Sequence, residues 1–322
     1  MEVFINILIF VTSCGLLYFS GDLIVNGLVR LSRFFGLKEF VVAFFVMAVA
    51  ASLPNLFVGV TSALQGIPEL SFGDIMGNNL IALTLAVGLA VLFSPNKEIT
   101  AESRTIQSTS FFTLGAAILP VILILDGTLS RPDGIILIIF FLVYIFWLFS
   151  KRERFSKTID PEPKHTMIIS VKEGLKDTFK IFSGALILFI SSQGIVLSST
   201  FLASSLGLPL VIVGSLIIGF GSALPEVYFA IYSAKRGETF MILGNLMGAV
   251  IIPASLILGI VTIINPIKTE SLDSFAISRI FLTLAIIAFF ITTKTQQKIT
   301  KRESFILISI YIIFVVTTLL KY

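Results

Sequence analysis

The sequence predicts an all-α membrane protein: ten transmembrane helices arranged as two inverted five-helix repeats. Three observations lead there. First, 56% of the 322 residues are hydrophobic and only 13% are charged, against about 25% charged in an average soluble domain. Second, ten apolar stretches are each long enough to cross a bilayer, which takes about 20 residues as a helix. Third, the chain matches itself when slid by 171 positions, the distance from Asn55 to Glu226.

The ten stretches run over 3–29, 38–64, 71–94, 106–126, 132–150, 178–204, 208–234, 239–265, 274–293 and 303–320. The first is read as a span and not as a secretory signal: Glu2 is its only charge before Asp22, and the apolar run exceeds a signal core. Most connections are short and polar. Asp126-Gly127 and Arg131-Pro132-Asp133-Gly134 are read as turns. One long hydrophilic connection, 151–177, separates five spans from five. This divides the chain into a first repeat (1–150), a loop (151–177) and a second repeat (178–322).

Lys and Arg set the expected orientation. One set of alternate loops carries Arg30, Arg33, Lys38, Lys97, Arg104, the basic residues of 151–180, Lys235, Arg236, Lys294, Lys298, Lys301 and Arg302. The other set holds only Arg131, Lys268, Arg279 and Lys321. The asymmetry places the 151–177 loop in the cytoplasm and both termini outside, in a plasma (inner) membrane. Trp147, at the cytoplasmic end of the fifth span, reads equally as an interfacial anchor and as a lipid-facing aromatic of no special role.

The repeat carries register at residues that apolar runs alone would not align. Gly36-Leu37 falls on Gly207-Leu208, Leu53-Pro54 on Leu224-Pro225, Ser62-Ala63 on Ser233-Ala234 and Gly66 on Gly237. Gly73 falls on Gly244, Met76-Gly77 on Met247-Gly248, Gly88 on Gly259 and Pro95 on Pro266, all without a gap. Each half holds five spans, so the copies enter the membrane in opposite directions. Inverted repeats of this kind build secondary transporters with a site at the repeat interface, near the midplane.

Proline in a span removes a backbone donor and clashes with the carbonyl four residues back. The paired segments around Pro54 and Pro225 are therefore expected to be kinked or broken, freeing carbonyls near Ala50 and Gly221. Inversion brings their next residues, Asn55 and Glu226, towards each other. A carboxylate inside a span is a functional-site hypothesis by default. With one cysteine, Cys14, and one histidine, His165, the chain offers neither a Cys/His metal cluster nor a two-histidine mechanism. It also shows no nucleophile system, paired catalytic aspartates or phosphate loop in its spans. An enzyme, a resident cofactor and a nucleic-acid partner are therefore not expected.

At these residues the chain resembles the calcium/cation antiporter superfamily, and within it the prokaryotic sodium/calcium exchanger proteins. The resemblance rests on Ala50-Ala51-Ser52-Leu53-Pro54-Asn55 and Gly221-Ser222-Ala223-Leu224-Pro225-Glu226, similar to the family's Gly-Thr-Ser-x-Pro-Glu. It rests also on the segments opening at Gly73-Asp74-Ile75-Met76-Gly77-Asn78-Asn79 and Gly244-Asn245-Leu246-Met247-Gly248-Ala249, and on Ser20-Gly21-Asp22-Leu23-Ile24-Val25-Asn26-Gly27 in the first span. It implies a secondary antiporter that moves Ca2+, or a related cation, against Na+ or H+ by alternating access. The first and sixth spans would slide against a rigid remainder.

The resemblance implies ligands at Glu226, Asn55, Ser52, Ser222 and Asn78, and the charge of Asp74 adds it to the candidate set. The family's first glutamate is replaced by Asn55, and its other ligand positions fall on Ala51, Ala223, Ala249, Ala82 and Pro253. Calcium takes 6–8 oxygens, commonly with several carboxylates. A single carboxylate in a low-dielectric site suits a monovalent ion or proton better. Asp74 stands where the family has Asn, as a possible second charge or as a helix cap. The alternatives are a divergent monovalent cation/proton exchanger and a transport-inactive membrane scaffold of the same fold. The expected partners are the lipid bilayer and the transported cations, and the oligomeric state is open.

Overall fold

A computed structural model describes residues 2–34, 47–150, 171–237, 239–268 and 272–321. The described chain is helical apart from turns and four short strands. We number the spanning helices α1 Glu2–Phe34, α2 Met47–Leu64, α3 Pro68–Phe93, α4 Arg104–Leu123, α5 Arg131–Ser150, α6 Val171–Leu206, α7 Leu210–Lys235, α8 239–264, α9 Leu272–Lys294 and α10 Lys301–Lys321. Among the described residues, nine helices are long and apolar enough to span a bilayer; Ala51–Leu64 is a shorter tenth. The predicted second span began at 38, and 38–46 lie outside the described residues.

Two loop readings change. The stretch 131–134 is the first turn of α5 and not a loop: the Asp133 carboxylate accepts the Ser130 backbone N–H at 2.8 Å and its hydroxyl at 2.5 Å. Glu303 does the same for Thr300 at the start of α10. A carboxylate three residues past the N-cap satisfies orphan donors of the helix start, which is why both helices begin early. The predicted 151–177 loop is helical from Val171 onward, while 151–170 lie outside the described residues. Asp126-Gly127 does turn: Gly127 sits at φ 87°, and Asp126 accepts the Thr128 N–H.

α3 and α8, repeat partners, form the centre of the core. From Leu70 to Leu83 every residue of α3 is buried. The outer helices carry apolar residues outward, with Phe146 and Leu320 at 78% and 83% exposure. Such a surface suits a hydrocarbon solvent and not water. Trp147 is not a free lipid-facing ring: its centroid lies 4.7 Å from that of Phe112 on α4, and it stacks on Tyr144.

The repeats interlock. A Cβ on Gly88 of α3 would meet Ser304 and Ile308 of α10, and one on Gly259 of α8 would meet Gly134 and Ile138 of α5. Each central helix thus packs its glycine on the last helix of the other repeat. Two antiparallel ribbons obey the same exchange. β1 Glu98–Thr100 pairs with β4 Lys298–Thr300, and β2 Thr128–Leu129 pairs with β3 Ile267–Lys268. Adding 171 carries β1 towards β3 and β2 onto β4.

These ribbons also sort the loops by side. β1–β4 gathers the connections after α3 and α9, and the Thr100–Thr239 hydroxyl contact at 2.9 Å adds the one after α7. β2–β3 gathers the connections after α4 and α8, and the Asn265 amide adds the one after α2 by donating to the Ala63 carbonyl. The first group holds Lys97, Lys235, Arg236 and Lys298 and the second holds Arg131 and Lys268, so the Lys/Arg-rich loops share one side.

Candidate functional site

The site is built where α2 and α7 pass each other. Both helices run on through Pro54 and Pro225, so the expected breaks are not at the prolines. The irregularity in α7 ends about two turns before Pro225, a π turn at Gly214–Ile218. Two further π turns sit in α3, Ala82–Ala86, and in α8, Ile252–Ile257. A π turn widens the hydrogen-bond ring and upsets the regular carbonyl pairing. In both central helices a hydroxyl donates to the carbonyl four residues back: Thr84 to Leu80, and Ser255 to Ile251. Thr84 and Ser255 are repeat partners, 171 apart.

α7 lies against α3 at backbone contact. A Cβ on Gly73 would fall 2.3 Å from the Val211 carbonyl oxygen, and one on Gly77 would fall 2.1 Å from that of Ser215. Only glycine permits this approach. It presses the π turn of α7 into α3 and sets Ser222 beside Asp74.

A cavity of about 280 Å³ opens between α1, α2, α6, α7 and α8. Four repeat-related pairs line it: Ala51 and Ser222, Pro54 and Pro225, Asn55 and Glu226, Val58 and Phe229. The cavity therefore straddles the relation between the two repeats. Among the described residues its lining includes one carboxylate, Glu226, and no lysine or arginine. Glu226 and Asn55 are 5% and 2% exposed, and Glu226 Oε2 has no hydrogen-bond partner among the described residues. An uncompensated carboxylate at such depth costs several kcal/mol, so the lining favours a cation there.

Of the other expected site residues, Ser222 reaches this lining, while Ser52, Asn78 and Asp74 fall behind it. Ser222 lines the cavity and donates its hydroxyl to Asp74 Oδ1 at 2.8 Å. Asp74 and Asn78 are fully buried on α3, outside the lining. Ser52 is buried on α2 and also outside it. Asn245, the repeat partner of Asp74, does line the cavity. So do Cys14, Leu17, Tyr18 and Gly21 of α1. Asn245 is legible from the register with Asp74; no sequence signal singles out the α1 residues except their place in the first span. Among the described residues no three His, Cys, Asp or Glu side chains gather. Any ion held here would depend on hydroxyl, amide and carbonyl oxygens besides the carboxylates.

Comparison with known proteins agrees with this architecture. The sequence profile of the family described as sodium/calcium exchanger protein matches residues 5–150 and 178–320. The inner membrane protein YrbG of Escherichia coli K12 is 27% identical over 278 residues, covering 85% of this chain and 83% of that one. The sodium/calcium exchanger MaX1 of Methanosarcina acetivorans is 23% identical, covering 97% of this chain and 98% of that one. The putative antiporter CaxA of Alkalimonas amylolytica is 24% identical over 92% and 93%. A solved structure of the sodium-calcium exchanger NCX_Mj, soaked with Na+ and Sr2+, has the same fold, with a TM-score of 0.65 at 23% identity over 98% of both chains. With nearly all of its spans inside the matched segments, this chain belongs to the sodium/calcium exchanger protein family.

Proposed function

We propose that the protein is a secondary cation antiporter that exchanges Ca2+, or a related cation, against Na+ or H+ by alternating access. The observation that carries this is the cavity between the repeats, where, among the described residues, Glu226 is the lone lining carboxylate and no basic side chain accompanies it. Glu226, Asn55 and Ser222 are its cavity-facing ligands, with Ser52 and Asn78 supplying oxygens from behind. In this reading 1–150 and 178–322 act as the two repeat units, the 151–177 connection is cytoplasmic, and both termini lie outside. The relatives' names support the ion class: MaX1 is a sodium/calcium exchanger, and NCX_Mj was soaked with Na+ and Sr2+.

The test is flux in proteoliposomes holding the purified protein. A Na+ gradient should drive radioactive calcium uptake, and Glu226→Gln should abolish it. A fully active Glu226→Gln protein overturns the reading. Asn55 favours a second reading, because its amide stands where the repeat partner is a carboxylate. Na+/H+ exchange without calcium uptake would select that monovalent exchanger.

A further inference from the structure

Among the described residues three carboxylates are buried. Asp177 is 3.7 Å from the ammonium of Lys180 near the start of α6. The other two are Glu226 and Asp74, and the cavity lining accounts only for Glu226. Asp74 is 0% exposed in the middle of the core. Its Oδ1 accepts the Ser222 hydroxyl, and its Oδ2 has no hydrogen-bond partner among the described residues.

Asp74 is not isolated. One turn along α3, both amide atoms of the buried Asn78 also lack partners. One turn along α7 from Ser222 stands Glu226, with Oε2 free. Residues four apart share a helix face. The two helices are locked in register here, since a Cβ on Gly219 would lie 2.9 Å from the Asn78 nitrogen and 3.0 Å from the Asp74 carbonyl oxygen. Ser222 stands between the cavity and Asp74. It has a second acceptor, the Gly219 carbonyl at 3.3 Å, so its hydroxyl can turn away and free Oδ1.

Buried polar atoms in native proteins are nearly always paired, and each exception calls for a physical reason. Four unpaired oxygen or amide sites across one helix contact, two of them on acids, are a poor way to hold helices together. A neutral pair of side chains would serve at lower cost. A cation among them supplies the missing partner.

We propose that Asp74 is the second acidic ligand of the transported cation. The carboxylate absent from α2 at Asn55 is supplied from α3, so the site presents two negative charges, one from each repeat, with Ser222 as the hydroxyl between them. Such a site suits one divalent cation, or two monovalent ones, better than a single monovalent ion. This rests on the antiporter reading above and adds to it the ligand that restores the charge.

The experiment titrates purified full-length protein with Ca2+ and, separately, with Na+, following the melting temperature. Asp74→Asn should weaken the apparent Ca2+ affinity roughly tenfold to a hundredfold, the range for losing a charged hydrogen-bonding partner. Ser222→Ala should weaken it less. Adding Asn55→Glu to Asp74→Asn returns the second charge at the repeat partner of Glu226 and should restore most of the affinity. A structural role for Asp74 would not be rescued in that way. Wild-type affinity in Asp74→Asn overturns the proposal. So does a weakened Asp74→Asn whose ion-free melting temperature falls and which Asn55→Glu does not rescue. A wild-type protein that responds to neither ion sinks the antiporter reading, and this inference with it.

Discussion

The outer part of α2 and the equivalent part of α7 share a repeat register and differ in packing. Val58 and Thr61 are each 3% exposed. Thr61 meets Ser192 of α6 at 2.9 Å, and Gln65 donates to Gln193 at 2.6 Å. Their repeat partners are Phe229, Tyr232 and Arg236. Phe229 is half-buried, Tyr232 is 43% exposed, and Arg236 lies over the Tyr232 ring at 4.3 Å. So α2 is closed onto α6 beyond the cavity, while among the described residues the matching face of α7 is less covered. Two copies of one plan thus hold two different packings. The side of the cavity that carries Lys235 and Arg236 is the less covered one. A protein whose repeats exchange these packings would uncover the other side, which is how an inverted repeat converts asymmetry into alternating access.

The largest expected break in the comparison is at its centre, where Asn55 of one repeat faces Glu226 of the other across the cavity. Glu226→Gln should lower exchange flux more than a hundredfold, about 3 kcal/mol or more. Asn55→Gln, which keeps the amide, should cost less than tenfold. Proteoliposome flux with both variants checks this, and equal losses at the two positions would contradict it.

The centre is also where sequence and structure agree most closely. The register of 171 that pairs Asn55 with Glu226 already places two prolines and two polar side chains together, because inversion fixes where equivalent positions meet. The structure puts all four on one cavity. What the register could not reveal was backbone detail. Proline marks a missing donor, yet α2 and α7 continue through it, and the departures are π turns at 82–86, 214–218 and 252–257. The glycine contact of α3 with α7 accompanies the second, and in the other two hydroxyls at Thr84 and Ser255 donate to the carbonyls of Leu80 and Ile251 just before the turn, with Pro253 inside the last. Composition is blind to both. Asp74 shows the same limit. Its position is plain in the sequence, but its hydrogen bond to Ser222 depends on a helix contact that only the fold supplies.

Next in size is the α3–α7 contact, where two helix backbones touch. A methyl at Gly77 would lie 2.1 Å from the Ser215 carbonyl oxygen. Gly77→Ala should destabilise by about 3 kcal/mol, at the upper end for overpacking. A methyl at Gly15 on α1 would have nothing within 4 Å. Gly15→Ala should be neutral, or stabilising by a few tenths of a kcal/mol, because alanine favours helix. Thermal melting of the two variants in detergent gives the contrast. Equal melting temperatures would mean that α7 can slide on α3.

A smaller effect belongs to the open face. If the second repeat takes up the packing of the first, Arg236 comes opposite Asp22, as Gln65 is opposite Gln193. An ion pair would then latch one side where two amides latch the other. Arg236→Gln should slow turnover about tenfold, the loss of one charge-assisted hydrogen bond. Exchanging the charges, Asp22→Arg with Arg236→Asp, should recover most of the rate. A charge exchange that recovers nothing would show that these positions do not meet.

The smallest effect is expected from the closed face. Ser192 already donates to the Phe189 carbonyl at 2.8 Å, so Thr61 is the donor in the Thr61–Ser192 contact. Thr61→Val keeps the shape and removes that donor, a change of about 1 kcal/mol. On a two-state balance this is roughly a fivefold shift towards the conformer open on that side. Cys14 lines the cavity and is the chain's single cysteine, so it reports the shift without further engineering. An impermeant thiol reagent added from the Gln65 side should label Cys14 about fivefold faster in Thr61→Val than in wild type. From the Arg236 side, labelling should slow only in proportion to the lost population. An unchanged rate from the Gln65 side would mean that this hydrogen bond merely accompanies the closed packing of α2 on α6 and does not hold it.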